Sequence, residues 1–290
     1  MPSESLQGQC VLVTGATQPV GRAIAAAVAA DGANVVVAGR VSDEIGREAL
    51  HTVLAEIRSL GAEAMAAELG EPDEEQIAAC QTAIDERWGG LDVLINTAEL
   101  SDWSGPSWEM PTDEWDSVFS TNVHSALLLC RQFLPGMMER ARGAIVNIGG
   151  WRWATPGLAA FGASKASLDY LTMALAGEVR AFNIAVNSVS PSQGIDYPGS
   201  PHWRQQPGVP TAPEPPEHFA LAVVWLAKQD AESCTGNLTW SRQITSRNGL
   251  CRSWCCKPAQ IVGPWRVAGR GHFPMNSAPQ RISLGVARDD

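Results

Sequence analysis

Over the first 190 residues, short apolar runs rich in β-branched side chains alternate with longer stretches of helical period. The runs at 10–14, 34–38, 63–68, 91–96, 144–148 and 185–190 are five or six residues long and bounded by turn residues, so they predict strands. Between them, 21–31 is alanine-rich, 43–60 carries apolar positions near a 3.6-residue period, and 72–88 opens with proline and acidic residues, as helix starts prefer. Two longer helices are predicted at 112–138 and 159–182. Strand and helix in alternation predict an α/β class, a doubly wound parallel sheet with helices on both faces, in a single domain over 1–240. A Pro-, Gly- and Ser-rich loop follows at 192–217, with prolines at 198, 201, 207, 210, 213, 215 and 216. A helix at 219–228 and a last strand at 237–244 complete the expectation.

Composition changes this picture only at the end. Residues 241–290 hold eight Lys or Arg and two acidic residues, whereas the whole chain of 290 carries −10, so the tail is basic on an acidic protein. With no period over the last forty residues, 241–290 is expected to be an irregular C-terminal extension of unknown structure. The hydrophobic content of 45% is enough for one large core. No apolar run reaches the length of a membrane span, and MPSESLQGQC lacks a secretory leader, so a soluble cytoplasmic protein is expected. The net charge offers no footprint for nucleic acid or an anionic membrane, and neither partner is expected. Seven cysteines without a leader argue against a disulfide framework, and Cys10, Cys80 and Cys130 read as small core residues. Cys251, Cys255 and Cys256 lack a matching Cys/His pair at ligand spacing, so no metal is expected.

The segments that carry chemistry come in a fixed order. CVLVTG runs into TGATQPVGRAIAAAVAADG, a Gly-bearing turn that opens a helix and so presents unpaired backbone N–H groups to an anion. LDVLINTAEL ends the fourth predicted strand and IVNIGGWRW the fifth, while TNVHSALLLC and FGASKASLDYLTMAL lie on the two long helices. Together these resemble the short-chain dehydrogenase/reductase family. Thr14, Gly15 and Gly21 match its TGxxxGxG turn, with Pro19 at the middle glycine. Asn96 and Ala98 match its NNAG element, with Thr97 and Glu99 departing from it.

The resemblance implies a Rossmann fold and a nicotinamide dinucleotide site made by Thr14, Gly15, Thr17, Val20, Gly21, Arg40, Glu68, Leu69, Asn96, Ala98 and Lys165. Arg40 follows Gly39 where an acidic residue would accept from the ribose hydroxyls of NAD(H), and its guanidinium suits a 2′-phosphate, so NADP(H) is favoured. Pro19 removes a backbone donor and Glu99 adds a carboxylate beside the nucleotide, and both work against its binding.

Family members move a proton through an asparagine, a serine, a tyrosine and a lysine. Asn122 and Lys165 match two of these; the tyrosine position is Phe161, and the serine falls on Gly150, or on Gly149 in another alignment. Neither replacement exchanges a proton through its side chain. Tyr170, nine residues past Phe161, lies on the opposite helix face, and Ser164 and Thr155 have the wrong spacing. His124, Asp102, Tyr197 and His202 read as surface residues on segments that border the pocket. Trp151 and Trp153 beside Arg152, with Tyr197 and Trp203 downstream, predict either an aromatic substrate pocket or a surface for packing or for a partner.

Three functions follow from the resemblance: an NAD(P)-linked oxidoreductase on a ketone or secondary alcohol with its Ser-Tyr-Lys catalysis lost or altered; a non-redox cyclase, isomerase or lyase on the same scaffold; and a non-catalytic nucleotide-binding or scaffold subunit. A homodimer or homotetramer through the two long helices is also implied.

Overall fold

The computed structural model describes residues 3–70, 73–101, 105–150, 153–154, 156–195, 213–250 and 266–267. Seven parallel strands form the sheet: β1 (Cys10–Val13), β2 (Asn34–Gly39), β3 (Ala64–Glu68), β4 (Val93–Asn96), β5 (Gly143–Ile148), β7 (Ile184–Ser190) and β8 (Leu238–Trp240). Their order is β3-β2-β1-β4-β5-β7-β8, so the chain reverses direction across the sheet between β1 and β4. A separate two-residue pairing joins β6 (Trp153–Ala154) to β9 (Arg266–Val267). Strands β1, β4 and β7 are buried at every position, as expected of strands covered on both faces.

The helices divide between those faces. Ile24 and Val28 of α1 (Pro19–Ala30), Val53 and Ile57 of α2 (Glu44–Ser59) and Phe219 of α7 (Pro216–Ala227) share one core. Ile77 and Ile84 of α3 (Glu74–Trp88), Phe133 and Met137 of α5 (Ser125–Glu139) and Leu175 of α6 (Ala159–Val179) share the other. The helix starts are written locally. Asp43 accepts from Gly46 N at 2.8 Å, and Asp73 accepts from Glu75 N and Gln76 N at 2.9 and 3.2 Å. Cys10, Cys80 and Cys130 are buried free thiols, and burial pushes those of Cys80 and Cys130 up to about 12. No helix among the described residues is long and apolar enough to cross a membrane.

Two predicted elements need correction. The helix expected at 112–138 is α4 (Thr112–Phe119) and α5 joined by a π-helical turn, Ser120–His124. The strand expected at 237–244 stops at Trp240, and Ser241–Arg247 forms α8. The backbone N–H of Trp240 donates to Gln243 Oε1 at 3.4 Å, a side-chain cap at the start of the helix, and Ile244 and Thr245 are then buried.

Candidate functional site

The site lies at the carboxyl ends of the strands, around the reversal between β1 and β4, where open α/β sheets form a crevice. The turn after β1 fits together only with glycine. Gly15 has φ of +59°, and a Cβ on it would stand 2.9 Å from Ala98 Cα. A Cβ on Gly21 would stand 2.3 Å from the Gly15 carbonyl oxygen. Thr14 Oγ1 accepts from Thr97 N and Ala98 N at 2.9 and 3.1 Å, tying the turn to the end of β4. Pro19 takes the first position of α1, where the missing N–H would be unpaired in any residue and the fixed φ suits the helix. Val20 and Gly21 complete that first turn, and the Thr17 side chain lies against the open backbone of Gly39.

Arg40 is exposed beyond β2 and lines a cleft of about 570 Å³ with Val41, Ser42, Glu68 and Gly70. Its stem rests where a side chain on Gly70 would be. The Glu68 carboxylate is engaged by Arg47 at 2.6 Å, a partner 21 residues earlier that the sequence reading missed, and Leu69 packs on the second core. At the end of β4, Asn96 Nδ2 donates to Asn147 Oδ1 at 2.8 Å, while Asn96 Oδ1 and Thr97 Oγ1 are buried with no hydrogen-bond partner among the described residues. Such atoms call for a ligand or water donor. With the closed glycine turn and Arg40 they make a cradle that fits a dinucleotide.

The positions to which the resemblance assigns proton transfer sit on α6 and its neighbours. Phe161 and Lys165 are one turn apart, with the Lys165 ammonium 5.6 Å from the ring centre. Lys165 is 3% exposed; its Nζ donates to the Ile148 carbonyl at 2.9 Å and pairs with Glu99 Oε2 at 3.0 Å. Glu99 is thus an ionisable group beside Lys165, and 66 residues of separation hid the contact from the sequence reading. Asn122 lies in the π-helical turn, a device common at functional sites. Its Oδ1 accepts from Leu100 N, and its Nδ2 donates to Leu100 O and to Ser164 Oγ at 3.0 and 2.9 Å. Ser164 Oγ in turn donates to Phe161 O at 2.8 Å. The asparagine therefore fixes the segment after β4 against α6.

Neither glycine after β5 leaves room for a serine. A Cβ at Gly150 would lie 2.5 and 2.8 Å from Lys165 Cγ and Cβ, and one at Gly149 would lie 2.5 Å from Ser190 Oγ and 2.8 Å from Ser188 Oγ. Tyr170 is 72% exposed, turned away from the site. His124 is also exposed. Trp151, Arg152, Thr155, Asp102, Tyr197, His202, Trp203 and the three late cysteines lie outside the described residues, as do the side chain of Trp153 and loop positions 196–212. No metal-binding group of His, Cys, Asp or Glu occurs among the described residues.

Beyond β7 the loop ends are tied together by a buried carboxylate that the sequence reading passed over. Ile195 pairs with Glu214, and Glu214 Oε2 accepts from Ser241 Oγ at 2.6 Å and Ser192 N at 3.2 Å. Burial raises its pKa to about 7 against the lowering effects of Ser241, Ser192 and nearby Arg242. Below about pH 4.5 this carboxyl is protonated in folded and unfolded chains alike; above that the folded chain keeps a proton the unfolded chain releases. The stabilisation this gives is full below pH 4.5 and is lost as pH rises through 7, a total of about 3 kcal/mol. Urea unfolding at pH 5 and pH 8 checks this: Glu214→Gln is expected to be less pH-sensitive than the native chain by that amount, and an unchanged pH dependence would refute it.

A family profile described as short chain dehydrogenase matches residues 9–195. The 3-oxoacyl-(acyl-carrier-protein) reductase FabG of Vibrio cholerae is 30% identical over 241 residues, covering 80% of this chain and 95% of its own. Among solved structures, a metagenomic short-chain oxidoreductase in complex with NADP is 32% identical with a TM-score of 0.68, covering 82% of this chain and 98% of its own. An NAD+-bound xylitol dehydrogenase is 25% identical with a TM-score of 0.71, covering 81% of this chain and 98% of its own.

Proposed function

The chain belongs to the short-chain dehydrogenase family, and from that premise we propose that it binds a nicotinamide dinucleotide, NADP(H) ahead of NAD(H), in a site that has lost the family's usual carbonyl reduction. The observation that carries this reading is the setting of Lys165. Its ammonium is held by Glu99 and Ile148, its stem is packed by Gly150, and the ring of Phe161 stands beside it in place of a hydroxyl.

Thr14, Gly15, Thr17, Val20 and Gly21 would hold the pyrophosphate on the start of α1, and Arg40 would meet a 2′-phosphate across its cleft. Asn96, Ala98, Leu69 and Lys165 would border the rest, while Glu68 is committed to Arg47. When bound, the nucleotide supplies or takes a hydride. At the reacting end this chain positions rather than reacts. Asn122 has its amide bonded to Leu100 and Ser164, and Phe161 presents carbon where a proton would be exchanged. The relative solved with NADP and the exposed Arg40 support the choice of the phosphorylated nucleotide. The test is a titration with NADPH beside an assay of ketone substrates. Saturable binding without substrate-dependent oxidation is expected, and turnover at the rate of an intact family member would overturn the reading.

The same proposal includes a homodimer or homotetramer. Trp115 on α4, Leu127 on α5, and Tyr170 and Met173 on α6 are large apolar side chains exposed on neighbouring helices. Light scattering is expected to give a multiple of the chain mass, and Tyr170→Asp with Met173→Asp to move it toward the monomer; a native monomer would refute the assembly. The buried free thiols fit a reducing compartment, and the cytoplasm is the place proposed.

A further inference from the structure

Glu99 is at once beside the glycine turn and against the buried lysine. Its backbone carbonyl accepts from Gln18 Nε2 at 3.4 Å, its neighbour Ala98 packs on Gly15, and its carboxylate, 37% exposed, pairs with the nearly buried Lys165. The crevice therefore has an electrical layout. Arg40 marks one end, beyond β2, the start of α1 lies in the middle, and the Lys165–Glu99 pair lies at the other end, past β4 and β5. One turn deeper on α6, the Asp169 carboxylate accepts from Ser188 Oγ at 2.6 Å. A dinucleotide with its adenosine half near Arg40 and its phosphates on α1 brings its nicotinamide half to the pair.

Oxidised and reduced forms carry the same phosphates and differ by one positive charge on the nicotinamide ring. Charges that act on the phosphates therefore change both affinities together, and only a charge near the ring separates the two forms. A lone Lys165 ammonium would repel the cationic ring. Paired with Glu99 it presents no net charge, and the carboxylate is the more exposed member of the pair.

We infer that Glu99 sets the redox-state preference of the site, making it hold the oxidised, cationic dinucleotide more tightly than the reduced, neutral one; this rests on the nucleotide-binding reading above.

The test is titration of the full chain with NADP+ and with NADPH, followed by calorimetry, for the native protein, Glu99→Gln and Lys165→Met. The native protein is expected to bind NADP+ more tightly than NADPH. Glu99→Gln leaves the ammonium uncompensated, so the preference for the oxidised form is expected to fall about tenfold, mostly through weaker binding of NADP+. Lys165→Met leaves the carboxylate uncompensated and is expected to move the preference the other way, so the inference stays open to refutation even if one variant does not fold. Native preference for NADPH, or the same ratio in all three proteins, would overturn the inference while leaving nucleotide binding intact. Failure of the native protein to bind either form at millimolar concentration would overturn the nucleotide-binding reading as well.

Discussion

Supplied with saturating NADPH, this protein is expected to reduce ketones at least about 10⁴-fold more slowly than a family member with its serine, tyrosine and lysine intact, and Phe161→Tyr alone is expected to recover no more than about tenfold of that loss. A positioned general acid contributes about 10² to 10⁴ in rate, and groups that act as a unit lose nearly everything when one is missing. A tyrosine at 161 would restore a hydroxyl near Lys165, but that ammonium is already bonded to Glu99 and the Ile148 carbonyl, and no serine would share the substrate oxygen. Gly150→Ser added to it forces Lys165 aside, because the new Cβ would sit 2.5 Å from Lys165 Cγ. Steady-state oxidation of NADPH with a panel of ketones is the measurement. Recovery by the single tyrosine of more than about a hundredfold would show that Glu99 does not restrain the lysine.

Gly21→Ala is expected to destabilise the fold by about 3 kcal/mol and to abolish nucleotide binding. The added carbon would lie 2.3 Å from a backbone oxygen, that of Gly15, which cannot swing away as a side-chain end could. Gly15 in turn is held by its positive φ and by Ala98 Cα 2.9 Å from where its own Cβ would be. The strain therefore reaches both the turn after β1 and the end of β4. A denaturant midpoint and a titration with NADP+ measure the two effects, and a variant with native midpoint and native affinity would contradict the close approach.

The sheet was legible because its strands are buried on both faces, so runs such as CVLV and the VLI before Asn96 are continuously apolar where a surface strand would alternate. The helix starts expected at 43 and 72 lie within a residue of the caps Asp43 and Asp73, because the signals that mark a helix start are local, the capping residue and the groups it serves being three residues apart at most. The resemblance paired Phe161 with Lys165, and their four-residue spacing sets them one turn apart on α6. What escaped the sequence reading depends on distance along the chain or on burial that polarity conceals. The Glu99–Lys165 and Glu68–Arg47 pairs join residues from different elements. Glu214, among prolines, has the pattern of a solvated loop, yet it is 2% exposed. The strand expected over 237–244 ends at Trp240, where the Gln243 side chain caps the start of α8 from a position three residues into the helix. The π-helical turn was hidden because one extra residue barely disturbs an apolar period read over two flanking helices.

That wide turn also governs which changes of length the molecule can absorb. Ser120–His124 sets the angular phase of everything after it, since each α-helical residue advances the chain by about 100°. A chain shortened by one residue there would rotate Leu128, Leu129, Phe133 and Met137 out of the core by roughly a quarter turn, and would carry Asn122 away from Leu100. Substitutions along this helix can accumulate singly, but a deletion within it would break the interior and the site in the same event.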